Sequence, residues 1–229
     1  MFDVAYFFKS LKQLLPYVRD ALDIMTCSVL FGMLWGGVLA WLKLGRNNFL
    51  RKFAYAYTTM IRCTPSIVLL YVVYYGFPML LRVIKINTDI MGKREYLILT
   101  FAMFCGASLS EVFRSAYSSI SIGQYEAGVS VGLTNIGVFR RIIFPQMFHV
   151  TLPPLGNTII AVLNEASLGF AIGYVDIIGR ATLFSQQNYG TKNIEIFLAA
   201  AVLYWICSIV IGQGVNIIEK YYGKYRAEY

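Results

Sequence analysis

The sequence is poor in charge, in histidine and in clustered cysteine, and each shortage closes off a class of protein. Asp, Glu, Lys and Arg supply 14% of the 229 residues while 58% are hydrophobic, and the mean hydropathy is +0.60. A soluble domain carries about 25% charged and about 45–50% apolar residues, so a water-soluble globule is excluded in favour of a polytopic membrane protein. His149 is the single histidine, which leaves few ways to build a metal site in the membrane. Cys27, Cys63, Cys105 and Cys207 contain no Cys-x-x-Cys, so zinc and redox spacings are missing. All four lie in or beside apolar stretches and read as small core hydrophobes. The clustered His, Asp or Cys that a membrane-embedded enzyme would need is missing too. No Gly-x-x-x-x-Gly-Lys-Ser/Thr occurs, so the chain has no phosphate-binding loop of its own, and we expect no cofactor. The net charge of +8 forms no basic run dense enough for a nucleic-acid stripe. It reads instead as Lys and Arg that set membrane topology.

What is present is a series of apolar runs near the length of a bilayer crossing, about 17–25 residues. Residues 1–19 mix aromatics, Lys and Asp, do not resemble a cleaved leader, and read as an amphipathic segment on the membrane surface that ends at Pro16. The first crossing is 24–42, with Gly32, Gly36 and Gly37 at helical spacing where a neighbouring helix can approach closely. The loop 43–52 carries Lys43, Arg46, Arg51 and Lys52 and no acid, which places it in the cytoplasm and the N-terminus outside. The second run, 53–81, is too long for a simple span and is interrupted by Arg62 and Pro65, so a tilt or kink is expected. The stretch 82–95, which includes Asp89, reads as an external loop. A third crossing follows at 96–120, with Glu111 and Arg114 towards its inner end. A fourth is expected at 149–174, an external loop at 175–193 and a fifth crossing at 194–218, with Lys220, Lys224 and Arg226 as an inner tail. The fold class is therefore all-α, a single transmembrane domain over 1–229 with about five helices.

The loop between the third and fourth crossings, about 121–147, is small, partly polar and punctuated by glycine. Gly123 reads as a break ahead of two helical turns over 124–131. Tyr125, Val129 and Gly132 fall on one side of these turns, and Ala127 and Gly128 are small enough for close approach. Gly132 suits a left-handed helix end. Asn135 reads as the cap of a second short helix, 136–143, carrying Arg140 and Arg141, with Pro145 at its end.

This loop resembles the EAA motif of ABC importer permeases, Glu-Ala-Ala, three residues, Gly, nine residues, Ile-x-Leu-Pro. Here Glu126, Ala127, Gly128, Gly132, Ile142, Phe144 and Pro145 stand at that spacing, with Gly128 for Ala and Phe144 for Leu as the departures. The flanks resemble the polar amino acid branch. Arg62-Cys63-Thr64-Pro65 is similar to Arg-Gly-Thr-Pro, Ser110 to Arg114 to Ala-Glu-x-Phe-Arg, and Leu152 to Asn157 to Leu-Pro-Pro-x-Gly-Asn. Asn164-Glu165-Ala166-Ser167-Leu168 stands where the family often reads Lys-Asp-Thr-Ser-Leu. The resemblance implies a type I importer permease of the bacterial cytoplasmic membrane that hydrolyses no ATP itself. Implied partners are two ABC ATPase subunits that bind the ATP, a second identical or homologous permease, an external substrate-binding protein, membrane lipid and an amino acid substrate. The loop becomes a coupling helix, with Tyr125, Glu126, Ala127, Gly128, Gly132, Arg140 and Arg141 as the ATPase-coupling residues. Arg140 and Arg141 read as contacts of the ATPase or of lipid head groups.

Ionisable groups at membrane depth cost about 2.5–3.5 kcal/mol on insertion scales and mark function by default. Glu165 reads in two ways, as a partner for a substrate ammonium or as a carboxylate paired inside the bundle, for instance with Arg62. Arg62 in turn receives a substrate carboxylate or fixes the kinked helix. Thr64 and Ser66 flank Pro65, where freed carbonyls can line a cavity, and Asn164 and Ser167 complete the candidate substrate path. The rival function is a stand-alone channel or secondary carrier that uses Glu165 and Arg62 for ion coupling. Paired broken helices in two equal halves would support it, and the sequence has neither.

Overall fold

The computed structural model describes residues 2–83, 85 and 91–223, and every regular element among them is helical. Asp89, Lys224 and Arg226 lie outside the described residues. Five helical runs among those described are long and apolar enough to cross a membrane: Val4–Leu44, Ser66–Val83, Lys93–Ser118, Asn135–Ile172 and Asn193–Tyr222.

The first run begins with α1 (Val4–Leu14), capped by the Asp3 carboxylate on the Tyr6 N–H at 3.0 Å. Pro16 does not end it. A 3-10 turn, Leu15–Tyr17, takes Pro16 in its first positions and hands the chain to α2 (Val18–Leu44). Proline is tolerated in a first turn because the missing N–H would have had no partner there.

The second run departs further from expectation. It is two separate helices, and the first is not a span. Asn47 caps α3 (Asn48–Cys63), which is amphipathic. The helix stops at Thr64, held extended at φ −89° and ψ 127°, as the ring of a following proline demands. The crossing is only Ser66–Val83, built from α4 (Ser66–Tyr71), a π-helical turn at Val72–Gly76 and α5 (Phe77–Val83).

Next come α6 (Lys93–Ser118), α7 (Ile122–Ser130) and α8 (Asn135–Val138). A second π-helical turn, Phe139–Ile143, joins α8 to α9 (Phe144–Ala166). Pro145 therefore opens α9 from its first turn, where the expectation had it closing a helix, and the fourth crossing starts well before His149. A 3-10 turn (Ser167–Ile172) ends at Gly173. The expected loop at 175–193 contains α10 (Ile177–Gln187), capped by Asp176, before α11 (Asn193–Gly223).

The main packing joins α2 to α6. Contacts advance along both helices together, from Ser28 with Ile98 to Lys43 with Glu111, so the two run parallel. Glycines set their separation. A Cβ on Gly32 would lie 2.6 Å from the Cys105 Cβ, one on Gly36 would lie 3.0 Å from the Gly106 carbonyl oxygen, and one on Gly106 would lie 2.8 Å from the Trp35 ring. In lipid, where apolar helices gain little by leaving the solvent, such backbone approach is a main source of helix association. Gly37, grouped with the other two at sequence level, meets nothing within 4 Å.

The same logic orders the ends. The Asp3 carboxylate meets Lys192 at 3.0 Å and the Asp3 N–H donates to Glu195 Oε1 at 2.9 Å, while the rings of Phe148 and Tyr222 meet at 5.3 Å. The start of α1 and the start of α11 thus share one face. The ends of α2, α6 and α11 and the loop 121–143 share the other, called below the loop face. Leu14, Ile24, Leu97, Phe101, Leu163 and Ile196 form the shared core.

Candidate functional site

Ser121, not Gly123, marks the start of α7. Its side chain accepts the Gly123 N–H, and Gly123 lies inside the helix. The far end is a Schellman closure: the Gly132 N–H donates to the Val129 carbonyl at 2.9 Å and the Leu133 N–H to the Gly128 carbonyl at 3.1 Å. This needs a left-handed residue at the turn, and Gly132 has φ +85°. After it, Thr134 caps α8 by accepting the Gly137 N–H at 3.2 Å. Asn135, expected as that cap, instead accepts the Tyr125 hydroxyl at 2.9 Å and ties α7 to α8.

The side of α7 that faces the protein is Gly128, which is buried. A Cβ there would lie 2.8 Å from Val138 Cγ2 and 2.9 Å from Ile142 Cδ1. The departure from Glu-Ala-Ala thus lets α7 fold flat against α8 and the π-helical turn of its own chain. Glu126 and Ala127 are exposed, as are Arg140 and Arg141 on the π-helical turn, and Tyr125 is half-buried. Exposed beside them are Ile122 (70%), Val131 (76%) and Ile136 (72%). The site is a capped, stapled pair of short helices that holds aliphatic side chains and one carboxylate outward from the loop face.

Near the end of α6 that leads into this platform lies a charged cluster that sequence reasoning misjudged. Lys43, expected in the first loop as a topology charge, is on the last turn of α2 with its side chain fully buried. Its Nζ meets Glu111 Oε1 at 2.6 Å and donates to Ser110 Oγ at 2.8 Å. The other carboxylate oxygen of Glu111 accepts Arg114 Nε at 2.9 Å. The Tyr55 ring of α3 sits 5.3 Å from the Lys43 Nζ. A run of basic residues does not reveal which one turns inward, so nothing in residues 43–52 alone could have signalled this; the Glu111 and Arg114 spacing was the available clue.

The candidate path residues fall into two groups. Arg62, Thr64, Pro65 and Ser66 bracket the break between α3 and α4, with the Thr64 hydroxyl donating to the Met60 carbonyl at 2.7 Å. Asn164 and Glu165 lie in the last turn of α9, just before Ser167, whose hydroxyl donates to the Asn164 carbonyl at 2.6 Å. Glu165 is thus at a helix end and not mid-helix. α4 packs against the 3-10 turn that follows α9, which brings the two groups' elements together. Neither Glu165 nor Arg62 makes an ion pair or hydrogen bond among the described residues, so the expected alternative of a Glu165–Arg62 pair is not formed; Arg62 is exposed and Glu165 half-exposed. Cys63 is exposed as well, so the core reading holds for buried Cys105 but not for it.

The opposite face is held by polar ties. The Asp3 carboxyl sits below its ordinary range because the Tyr6 N–H and Lys192 both stabilise its charge, and Lys192 is raised in return. Asp176 goes the other way. Burial pushes its carboxyl up, against the Gly179 N–H and the Tyr204 hydroxyl, which donate to it at 2.9 Å each.

Residues 28–223 match the family described as binding-protein-dependent transport system inner membrane component. The L-cystine transport system permease protein TcyL of Bacillus subtilis (strain 168) is 33% identical over 90% of this chain and 86% of its own. A putative glutamine transport system permease protein of Rickettsia typhi (strain ATCC VR-144 / Wilmington) is 32% identical over 84% of this chain and 85% of its own. A solved structure described as an amino acid ABC transporter with histidines has a TM-score of 0.82 at 24% identity, over 96% of this chain and 99% of that one. The inward-facing MetNI methionine ABC transporter has a TM-score of 0.72 at 19% identity, over 92% and 96%.

Proposed function

The chain belongs to the family of binding-protein-dependent transport system inner membrane components, and from that premise we propose that it is the pore-forming permease of an ATP-driven importer for a polar amino acid. It is a single transmembrane domain in the cytoplasmic membrane, multi-pass, with the loop face and C-terminus inside and the N-terminus outside. Arg46, Arg51 and Lys52 follow α2 on that face, the side that positive residues favour. Relatives transport cystine, nopaline and, by their names, glutamine, which supports an amino acid cargo.

One observation carries the mechanism. The α7–α8 pair is closed on itself by the Schellman turn and the Tyr125–Asn135 bond, yet shows Ile122, Val131 and Ile136 to water. A packed unit with aliphatic side chains outside the membrane is built to insert into another protein. We assign that partner as the ATPase. Glu126, Arg140 and Arg141 supply polar contacts at its rim, and Ala127 allows close approach. ATP is held by the ATPase chains, and this subunit performs no chemistry. Closure of the ATPase dimer moves α7–α8, and α6 and α9, which flank the pair, pass the displacement to the bundle. A second permease completes the pore and an external binding protein delivers the substrate. In the outward state substrate passes the α3–α4 break and the end of α9, where Arg62 and Glu165, with no ion pair or hydrogen bond among the described residues, meet a carboxylate and an ammonium.

The test is co-purification with the candidate ATPase and assay of its hydrolysis. Glu126→Ala is expected to lower ATPase retention and stimulated hydrolysis while leaving membrane insertion unchanged. Full retention and hydrolysis with Glu126→Ala, Val131→Asp and Ile136→Asp alike would reject the docking assignment.

A further inference from the structure

The ion cluster around buried Lys43 has a role that topology does not explain. A lysine that only set orientation would extend to water or the head groups. Lys43 instead turns back from the last turn of α2 and satisfies Ser110 and Glu111 with its side chain fully buried. Glu111 is saturated on both oxygens, by Lys43 at 2.6 Å and by Arg114 at 2.9 Å. Ser110 is itself anchored, donating to the Ala107 carbonyl at 2.7 Å. The cluster thus bolts the loop-face end of α2 to α6, with Tyr55 of α3 over the ammonium. It lies less than two helical turns before the Ser118 end of α6, and Ser121 then caps α7.

We infer that Lys43 and Glu111 are positioning residues for energy coupling: their ion pair makes α2 and α6 one body at the loop face, so that a displacement of α7 moves two crossings together. This rests on the importer reading above. Further along the crossing α2 and α6 meet through Gly32, Gly36 and Gly106 against Cys105, Leu109 and Trp35, and the ion pair adds a polar lock at the end nearest α7. The pair resists separation strongly, because Lys43 pulled away from Glu111 is an uncompensated buried charge.

The experiment is uptake and ATP hydrolysis measured together in proteoliposomes that hold the full complex. Lys43→Met and Glu111→Gln are each expected to lower uptake per ATP by about two- to thirty-fold, the range for residues that couple distant sites. The double variant is expected to be no worse than either single one, since both remove one interaction. Normal uptake per ATP in assembled variants, a proportional fall of uptake and hydrolysis, or losses that multiply in the double variant would each overturn the inference. Where a variant does not assemble, a bundle that keeps Lys43 and Glu111 decides. Spin labels at Leu44 and Tyr117, 42% and 37% exposed, are placed in a chain whose four native cysteines are alanine. Their separation is expected to change by no more than about 2 Å on ATP binding, the scale of a packed helix shift; a larger change contradicts the bolt. Failure of the importer reading looks different: the unsubstituted complex would show no ATP-driven uptake, and the positioning role would fall with it.

Discussion

Gly132 and Gly128 do different work four residues apart, and substitutions separate the two. Gly132 supplies a left-handed backbone, which costs an ordinary residue about 1–2 kcal/mol. Gly132→Ala is expected to fray the end of α7 and speed amide exchange at Leu133, whose N–H closes the turn. Gly128 supplies space. Gly128→Ala puts a methyl against Val138 and Ile142, an overpacking of about 1–3 kcal/mol. It is expected to loosen α7 from α8 and weaken ATPase retention, although Ala is what the motif carries at that place. Restoration by Val138→Ala in the same chain would identify the clash as the cause. Asp176 gives a prediction in pH. Its carboxyl binds a proton more tightly folded than unfolded, so its contribution to stability is complete below the ordinary carboxylate value and is lost as pH rises through the raised folded value. At neutral pH the buried charge remains a cost. Asp176→Asn, which keeps an oxygen for the Gly179 N–H, is expected to raise the melting temperature at pH 7.5. At pH 4 the gain is expected to shrink; an equal gain at both values would show that titration is not involved.

At the scale of elements, the α2–α6 crossing sets an internal control. Gly32→Ala must push apart two backbones at the Cys105 contact, whereas Gly37 faces open space. Gly37→Ala is expected to be neutral or to gain about 0.5–1 kcal/mol of helix propensity. Gly32→Ala is expected to lower thermal stability of the detergent-purified complex clearly, and equal effects would contradict the packing described. The five crossings were legible because length and apolarity alone define a span, and α7 was legible because glycine at a left-handed position leaves a readable mark. Other features were not. Pro16 and Pro145 looked like stops, but a proline in a first turn and one in a helix interior have the same sequence and opposite consequences. The two π-helical turns, Val72–Gly76 and Phe139–Ile143, leave no periodicity to read. α10 hid in an expected loop because its only local signal is the Asp176 cap. Lys43 looked like a surface charge because sequence gives its sign and not the direction of its side chain.

For the whole molecule, the parallel α2 and α6 and the antiparallel α9 and α11 put the basic segment 46–52, the α7–α8 platform and the end of α11 on one face. The sequence-level topology needs this arrangement, and the packing supplies it independently of charge counts. The proposed path joins the α3–α4 break to the end of α9, where Arg62 and Glu165 make no ion pair or hydrogen bond among the described residues. Glu165→Gln is expected to reduce uptake while ATPase docking, determined at the loop face, is unchanged. Unaltered uptake by both Glu165→Gln and Glu165→Ala in an assembled complex would remove Glu165 from the path. The central claim is that transport through this bundle is powered from outside the chain through α7–α8. Its most direct test is uptake of a panel of labelled amino acids, cystine and glutamine included, by proteoliposomes holding the complex with either an active or a hydrolysis-deficient ATPase. The account predicts accumulation of at least one amino acid with the active partner and none with the deficient one; accumulation that continues with the deficient partner would contradict it.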